Sequence, residues 1–287
     1  MKKWEILDQA KSEKRKAKNI TIEQIITILL ANRGIKTKKE REEFLNPKLD
    51  KVTVDDVGID KKQLKKALKR IQKAIDKKEQ IVVFGDYDVD GICGSAILWE
   101  TLFAYEAKVL PYIPHRVDEG YGLSIRGIEN LKSQIPNTKL IITVDNGIVA
   151  NEAVDFANKQ GIDVIITDHH VPSRKLPKAY SIIHTTKLCG TSVAWILAQQ
   201  FKVDKENDYL GLVALATVAD LVPLTGSNRV LLTHGLKVLR NTKRMGIVAL
   251  CQEAGVDQKT VGTYEIGHVI APRLNAAGRI EHAMDSL

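Results

Sequence analysis

From residue 81 the chain alternates between two kinds of apolar pattern. Short continuous runs rich in valine and isoleucine occur at Ile81–Gly85, Lys108–Ile113, Lys139–Val144, Asp163–Thr167 and Ser181–His184, and each closes in a polar loop. Between them, at about 92–106, 124–134, 149–160 and 190–201, apolar residues recur at helical spacing. Strands that show no polar alternation are buried on both faces, and a helix after each strand carries the chain back to start the next one in the same direction. The pattern therefore predicts the α/β class, with a doubly wound, mainly parallel sheet.

The flanking segments read differently. Ile22, Ile25, Ile26, Leu29 and Leu30 follow helical spacing up to Gly34, and the stretch 21–45 predicts two short helices. Residues 61–78 place Leu64, Leu68, Ile71 and Ile75 on one face with lysines around the rest, an amphipathic helix feeding the first strand. Beyond 209 the chain turns mainly helical: YLGLVALATVADLVPL is one apolar helix running into Asp220, and 228–254 holds two more. The expected organisation is a basic arm at 1–19, an N-terminal helical segment at 20–80 and a domain at 81–287. In that domain a parallel core to about 205 precedes a helical part.

Composition narrows the class. Of 287 residues 44% are hydrophobic and 27% charged, and no apolar run approaches the roughly 20 residues that span a bilayer as a helix. The basic opening is followed by TIEQIITILL, which Glu23 and Gln24 interrupt and which lacks a small-residue cleavage site, so a cytoplasmic protein is expected. Cys93, Cys189 and Cys251 lie far apart, a poor framework for disulfides or a thiolate zinc site, and read as small buried hydrophobes. The net charge of +8 is uneven: residues 1–80 hold 23 Lys and Arg against 13 Asp and Glu, whereas 81–287 hold 20 against 22. A basic N-terminal region attracts polyanions, although the same lysines also serve solubility.

The acidic groups gather where chemistry is expected. In a doubly wound sheet ligands bind at the carboxyl ends of the strands. Asp86, Asp88 and Asp90 follow the first run, Asp145 the third, and Asp168, His169 and His170 the fourth. One aspartate after a strand commonly caps the next helix. Three in one loop repel each other unless a cation neutralises them. Carboxylates joined by an imidazole suit manganese, with magnesium or zinc less favoured, and the set is large enough for two metals. Two cations about 3.5–4 Å apart can activate a water and neutralise charge on a phosphoryl transition state.

Taken together and in order, DYDVDG, VDNGI, DHH and VADLVPL resemble the DHH phosphoesterase superfamily, and within it the RecJ family of single-strand-specific DNA exonucleases. LLANRGIKTKKEREEFLNPKL is similar to that family's N-terminal segment, PHRVDEGYGL to its loop after the second strand, and IAPRLNAAGRI to the end of its DHH core. The resemblance implies a two-metal phosphodiesterase that uses manganese, with magnesium as a substitute. It implies digestion of single-stranded DNA from the 5′ end to mononucleotides in repair and recombination, with a single-strand-binding protein or helicase as partner and no membrane. It assigns Asp86, Asp88, Asp90, Asp145, His169 and Asp220 to metal, with Asp145 bridging. His170 would face the scissile phosphate, and His170, Asp145 and Asp88 would carry catalysis. Arg116 and Arg279 are candidates to bind phosphates, with a solvated arginine the equal alternative on residue type, and Asn275 stands with them and His170 as a substrate-binding candidate. Asp168 is expected to orient an imidazole or cap a helix, and His115, His184, His234, His268 and His282 to be structural.

The chain departs from the RecJ family pattern in two places, after Ile183 and at its end, and shares with that family the lack of a superfamily histidine. Phe84 stands where many superfamily members carry a histidine, so Asp86 is expected to substitute. After Ile183 the family's Asn-Pro and longer loop are replaced by His184-Thr-Thr-Lys-Leu-Cys-Gly. The family's DHH-associated domain would follow Leu287 and lies outside this sequence. Two other readings stand beside the exonuclease: a small-substrate DHH phosphodiesterase, disfavoured by the N-terminal segment and the EGYG loop, and a nuclease-inactive DNA-binding subunit, disfavoured by intact aspartate and histidine motifs.

Overall fold

The computed structural model describes residues 21–201, 209–280 and 283–287; the side chains of 117, 277, 279 and 280 fall outside the description. The expected basic arm at 1–19, His282 and the side chain of Arg279 therefore lie outside the described residues. The chain divides into two compact units, Met1–Lys48 and Leu49–Leu287. In the first, α1 (Ile22–Asn32) and α2 (Lys38–Leu45) each begin at a capping box, Thr21 with Gln24 and Thr37 with Glu40. These reciprocal bonds satisfy orphan N–H groups at both helix starts.

The second unit opens with α3 (Val54–Val57) and α4 (Lys61–Asp76). The alternating core follows: β1 (Gln80–Phe84), α5 (Val89–Ala104), β2 (Val109–Tyr112), α6 (Arg116–Glu119), α7 (Ile125–Gln134), β3 (Thr138–Val144), α8 (Asn151–Lys159), β4 (Asp163–Asp168), β5 (Ser181–His184) and α9 (Gly190–Ala198). It ends with α10 (Tyr209–Ala219), α11 (Gly226–Leu239) and α12 (Met245–Glu253), then α13 (Thr263–Glu265), a π-helical turn (Ile266–Ile270) and α14 (Ala271–Ile280). All five strands run parallel in the order β2-β1-β3-β4-β5, the predicted doubly wound sheet.

Successive strand residues point to opposite faces and feed two cores. Ile81, Val83, Leu140, Ile142, Val144, Ile165 and Ile183 pack with α4, α5, α9 and α10. Val82, Phe84, Ile141, Val164 and Ile166 pack with α7 and α8. Each fully buried Leu, Ile or Phe contributes about 1.5–3 kcal/mol, so the polar ends, not the interior of the strands, are free for function. The three cysteines are free and buried, as expected. Among the described residues no helix is long and apolar enough to cross a membrane.

The sequence reading groups 20–80 as one N-terminal helical segment; in the structure α4 packs within the second unit, Leu49–Leu287. Its Leu64, Ala67, Ile71 and Ala74 join the sheet's core. Arg70, 4% exposed, binds Asp163 at 2.5 Å and Glu79 at 2.8 Å, and donates to Lys139 O. Gln63 Oε1 accepts from Ile182 N–H. Residues 139, 163 and 182 begin β3, β4 and β5, so α4 crosses the amino ends of these strands and its lysines lie at that edge.

Candidate metal centre

The helices that leave β1 and β3 go to opposite faces, α5 to the first core and α8 to the second. Their divergence opens a crevice at the carboxyl ends of these two neighbouring strands, the place where open α/β sheets bind ligands. The aspartate loop follows β1 and Asp145 follows β3.

Local bonding fixes each carboxylate. Asp88 is the N-cap of α5, its Oδ1 accepting from the N–H groups of Asp90 (2.9 Å) and Gly91 (3.0 Å), which is why α5 starts before the predicted position. Asp86, fully buried, accepts from Tyr87 N–H on Oδ1. Asp90 reaches across to α9, where its two oxygens accept the N–H groups of Gly190 and Thr191, both at 2.7 Å. Asp145 adopts φ 62°, a left-handed conformation that costs a non-glycine residue about 1 kcal/mol and turns the chain sharply off β3. Gly190 packs so closely on it that a Cβ there would lie 2.6 Å from Asp145 Cβ.

These elements bring seven of the assigned residues together. His169 Nε2 stands 3.0 Å from Asp145 Oδ1 and 3.6 Å from Asp90 Oδ2, and its Nδ1 stands 3.7 Å from Asp220 Oδ2. Asp86, Asp88 and Asp145 form one group whose ligand atoms all lie within 4.8 Å of one another; Asp90, His169 and Asp220 form a second; Asp145, His169 and His170 form a third. Asp145 thus belongs with both sides. His170 Nδ1 pairs with Asp168 Oδ1 at 2.8 Å, and its Nε2 lies 3.3 Å from the Tyr121 hydroxyl. Asp168 also accepts from Ile148 N–H on Oδ2, so it orients an imidazole as anticipated.

The electrostatics are those of a cluster in need of positive charge. Burial, reinforced by Asp88, pushes the Asp86 carboxyl up to about 7. Burial, with Asp90 and Asp88, does the same for Asp220, also to about 7. Burial and the neighbouring Asp90, Asp88 and Asp86 hold Asp145 well above the ordinary range, and burial raises Asp88. Burial also disfavours charge on Asp168, but the bonds from His170 and Ile148 outweigh it and hold the carboxyl low. The Asp168 bond raises His170 against its burial, whereas burial lowers His169. Asp86 Oδ2, Asp145 Oδ1 and His169 Nε2 are buried without a hydrogen-bond partner. Buried orphan donor atoms of this kind fit a metal centre.

Of the remaining assigned residues, Arg116 and Asn275 sit around the rim. The Arg116 guanidinium lies 4.9 Å over the Tyr87 ring, which meets Tyr121 edge-on at 5.9 Å. Asn275 Oδ1 accepts from Val89 N–H at 2.9 Å, a bond to the aspartate loop itself. His184 Nε2 meets the His170 carbonyl, and His115 pairs with Asp118. Sequence reasoning assigned no role to Tyr121, Gly190 or Thr191. Tyr121 stood in the quoted EGYG loop, but the steric role of Gly190 left no signal.

Known proteins share this arrangement. Residues 80–217 match the DHH family, N-terminal domain. The chain is 37% identical to the single-stranded-DNA-specific exonuclease RecJ of Bacillus subtilis (strain 168), over 98% of this chain and 36% of that protein. A solved structure of exonuclease RecJ bound to manganese superposes with TM-score 0.69 at 33% identity, covering 78% of this chain and 59% of that one. RecJ from Thermus thermophilus in complex with Mn2+ gives TM-score 0.72 at 29% identity, over 90% of this chain and 37% of that one. The chain spans little more than a third of the length of the Bacillus relative. With its five-stranded parallel sheet and the DYDVDG, VDNG and DHH segments gathered at one edge, this chain belongs to the DHH family, on its RecJ branch.

Proposed function

We propose that this chain is the catalytic core of a metal-dependent exonuclease that digests single-stranded DNA from the 5′ end, releasing 5′-mononucleotides. The observation that carries the reading is the pair of ligand groups that meet at Asp145, Asp86 with Asp88 on one side and Asp90, His169 and Asp220 on the other. Five carboxylates and one imidazole suit manganese first and magnesium second. Bound there, two such cations would supply Lewis acidity and water activation.

The residues do the rest. Asp145 is the shared ligand, and its fixed backbone and the flush Gly190 leave its carboxylate little freedom to swing away. Asp168 holds the His170 Nδ1 proton, so that Nε2 is presented outward toward a phosphate oxygen. The raised affinity of His170 for a second proton makes it a hydrogen-bond donor to an anion. Arg116 and Arg279 serve the strand's phosphates, and the exposed Tyr121 ring offers a face on which a base can stack. Such work belongs in the cytoplasm, beside the single-strand-binding proteins and helicases that expose or hold single strands.

Product size tests the reading. With manganese and a 5′-labelled single strand, labelled mononucleotide is expected as the first product. Cleavage of a dinucleotide but not of the longer strand would favour the small-substrate phosphodiesterase. Binding without cleavage would favour the inactive subunit.

A further inference from the structure

The first residues of α5 need bonding partners from elsewhere, because the first N–H groups of a helix have none within it. Asp88 meets two of these needs with Oδ1 alone, on Asp90 and Gly91, leaving its other oxygen for a different task. The N–H of Val89, which precedes them in sequence, is met by Asn275 Oδ1, at 2.9 Å, from the far end of the chain. Gly278, one turn further along α14, presses on the same loop: a Cβ there would stand 2.6 Å from the Tyr87 carbonyl oxygen. Beneath these contacts Ile92, Ile113 and Ala283 form an apolar cluster of their own, with Tyr87, Met284 and Leu287 packed against it. Residues 87, 89 and 92 are therefore gripped in succession by the C-terminal segment.

We infer that Asn275 is a positioning residue for the aspartate loop, holding Asp88 in place for a cation, and that it does not bind substrate. The inference rests on the proposed metal role of that loop. Its acceptor oxygen is engaged by Val89, whose chain neighbours Asp88 and Asp90 both carry candidate ligands, so that bond lies one residue from the centre on either side. Loss of the bond frees the start of α5 to fray and lets the Asp88 carboxylate drift from Asp86.

Manganese affinity, measured by calorimetry on this chain without DNA, tests it. Asn275→Ala is expected to weaken binding about 10–100-fold, the range for removing an outer partner of a metal ligand. Asn275→Asp, which keeps an acceptor of the same shape, should restore most of it. At saturating manganese, the KM of Asn275→Ala for a short single strand should match that of the unaltered chain. Unchanged manganese affinity with a raised KM would overturn the inference and return Asn275 to the substrate. A helical circular-dichroism signal equal to that of the unaltered chain guards against unfolding; should Asn275→Ala unfold, the same affinity comparison passes to Asn275→Ser. Failure of the unaltered chain to bind manganese would sink the metal reading, and this inference with it.

Discussion

At the scale of single residues, Asp145 is the clearest point of failure. Asp145→Asn preserves the side chain's volume against Gly190 but removes the charge, so turnover with manganese should fall at least about 10²–10³-fold. The melting temperature in chelator should not fall, because burial among like charges already disfavours ionisation of Asp145. Activity on a labelled strand and thermal denaturation in EDTA check the two halves. The raised carboxyls also make metal-free stability depend on pH. Asp86 and Asp220, each near 7 in the folded chain, lend stability that is fully present below the usual carboxylate range and lost as pH rises through about 7. His170, raised, acts in the same direction and His169, lowered, opposes it; Asp168, lowered, stays ionised across this range and acts only at more acid pH. Raised Asp86, Asp88 and Asp220, with His170, outweigh the lowered His169, so melting in chelator should come at a higher temperature at pH 5 than at pH 8. Manganese should add most at pH 8, where it has fewer protons to displace. A scan across that range with and without manganese decides the sign. These donors were legible in the sequence because they stand at strand ends, in clusters that repel without a cation. Gly190 and Thr191 were not, since their role is to approach carboxylates from a remote segment, and a glycine carries no chemical signal of its own.

At the scale of elements, the strands were legible almost to the residue, because their apolar runs have sharp polar ends, although only the central β1, β3 and β4 are buried on both faces and the edge strands β2 and β5 are not. The amphipathic helix at 61–76 was too, though its buried face includes Ala67, Ala74 and Arg70 while Leu68 and Ile75 are only half-buried. Arg70 was unreadable as a core residue, since its partner Asp163 comes from a distant strand. Arg70→Ala should cost about 3 kcal/mol in urea unfolding, the low end for breaking a buried pair, because Asp163 keeps 42% exposure and Glu79 19%. Manganese affinity should be unaffected, as these partners lie at the opposite end of the strands. Within the helical part expected to 287, the run 263–280 was not placed as a separate helix, for a different reason. A π turn at Ile266–Ile270 inserts extra residues into the 3.6-residue period, just before Pro272, which cannot donate a backbone bond. The apolar spacing that marks a regular helix is thereby scrambled.

At the scale of the whole second unit, charge is sorted by the sheet. Asp86, Asp88, Asp90, Asp145, Asp168 and Asp220 gather at the carboxyl ends of the strands or beside them. The exposed Lys62, Lys66, Lys69 and Lys73 of α4 lie at the amino ends. A strand of five residues separates these edges by about 17 Å. Reversing those four lysines to glutamate should therefore leave kcat/KM for a short single strand within about twofold, less than the effect of any group in contact with phosphate. Titration of short and long strands at several salt concentrations checks this; a large loss on the short strand would mean that the lysines reach the reacting end. The same separation makes the unit an electrical dipole whose negative pole is its own reaction crevice. Before cations enter, an approaching polyanion is repelled from that pole and drawn to the other, and screening reaches only about 10 Å at 0.1 M salt. Two divalent cations in the crevice would offset much of that charge, so the expected order of arrival is cation first, nucleic acid second. In stopped flow at low salt, a short strand mixed with manganese-loaded protein should associate faster than one mixed with the chelated protein, and the gap should close as salt rises.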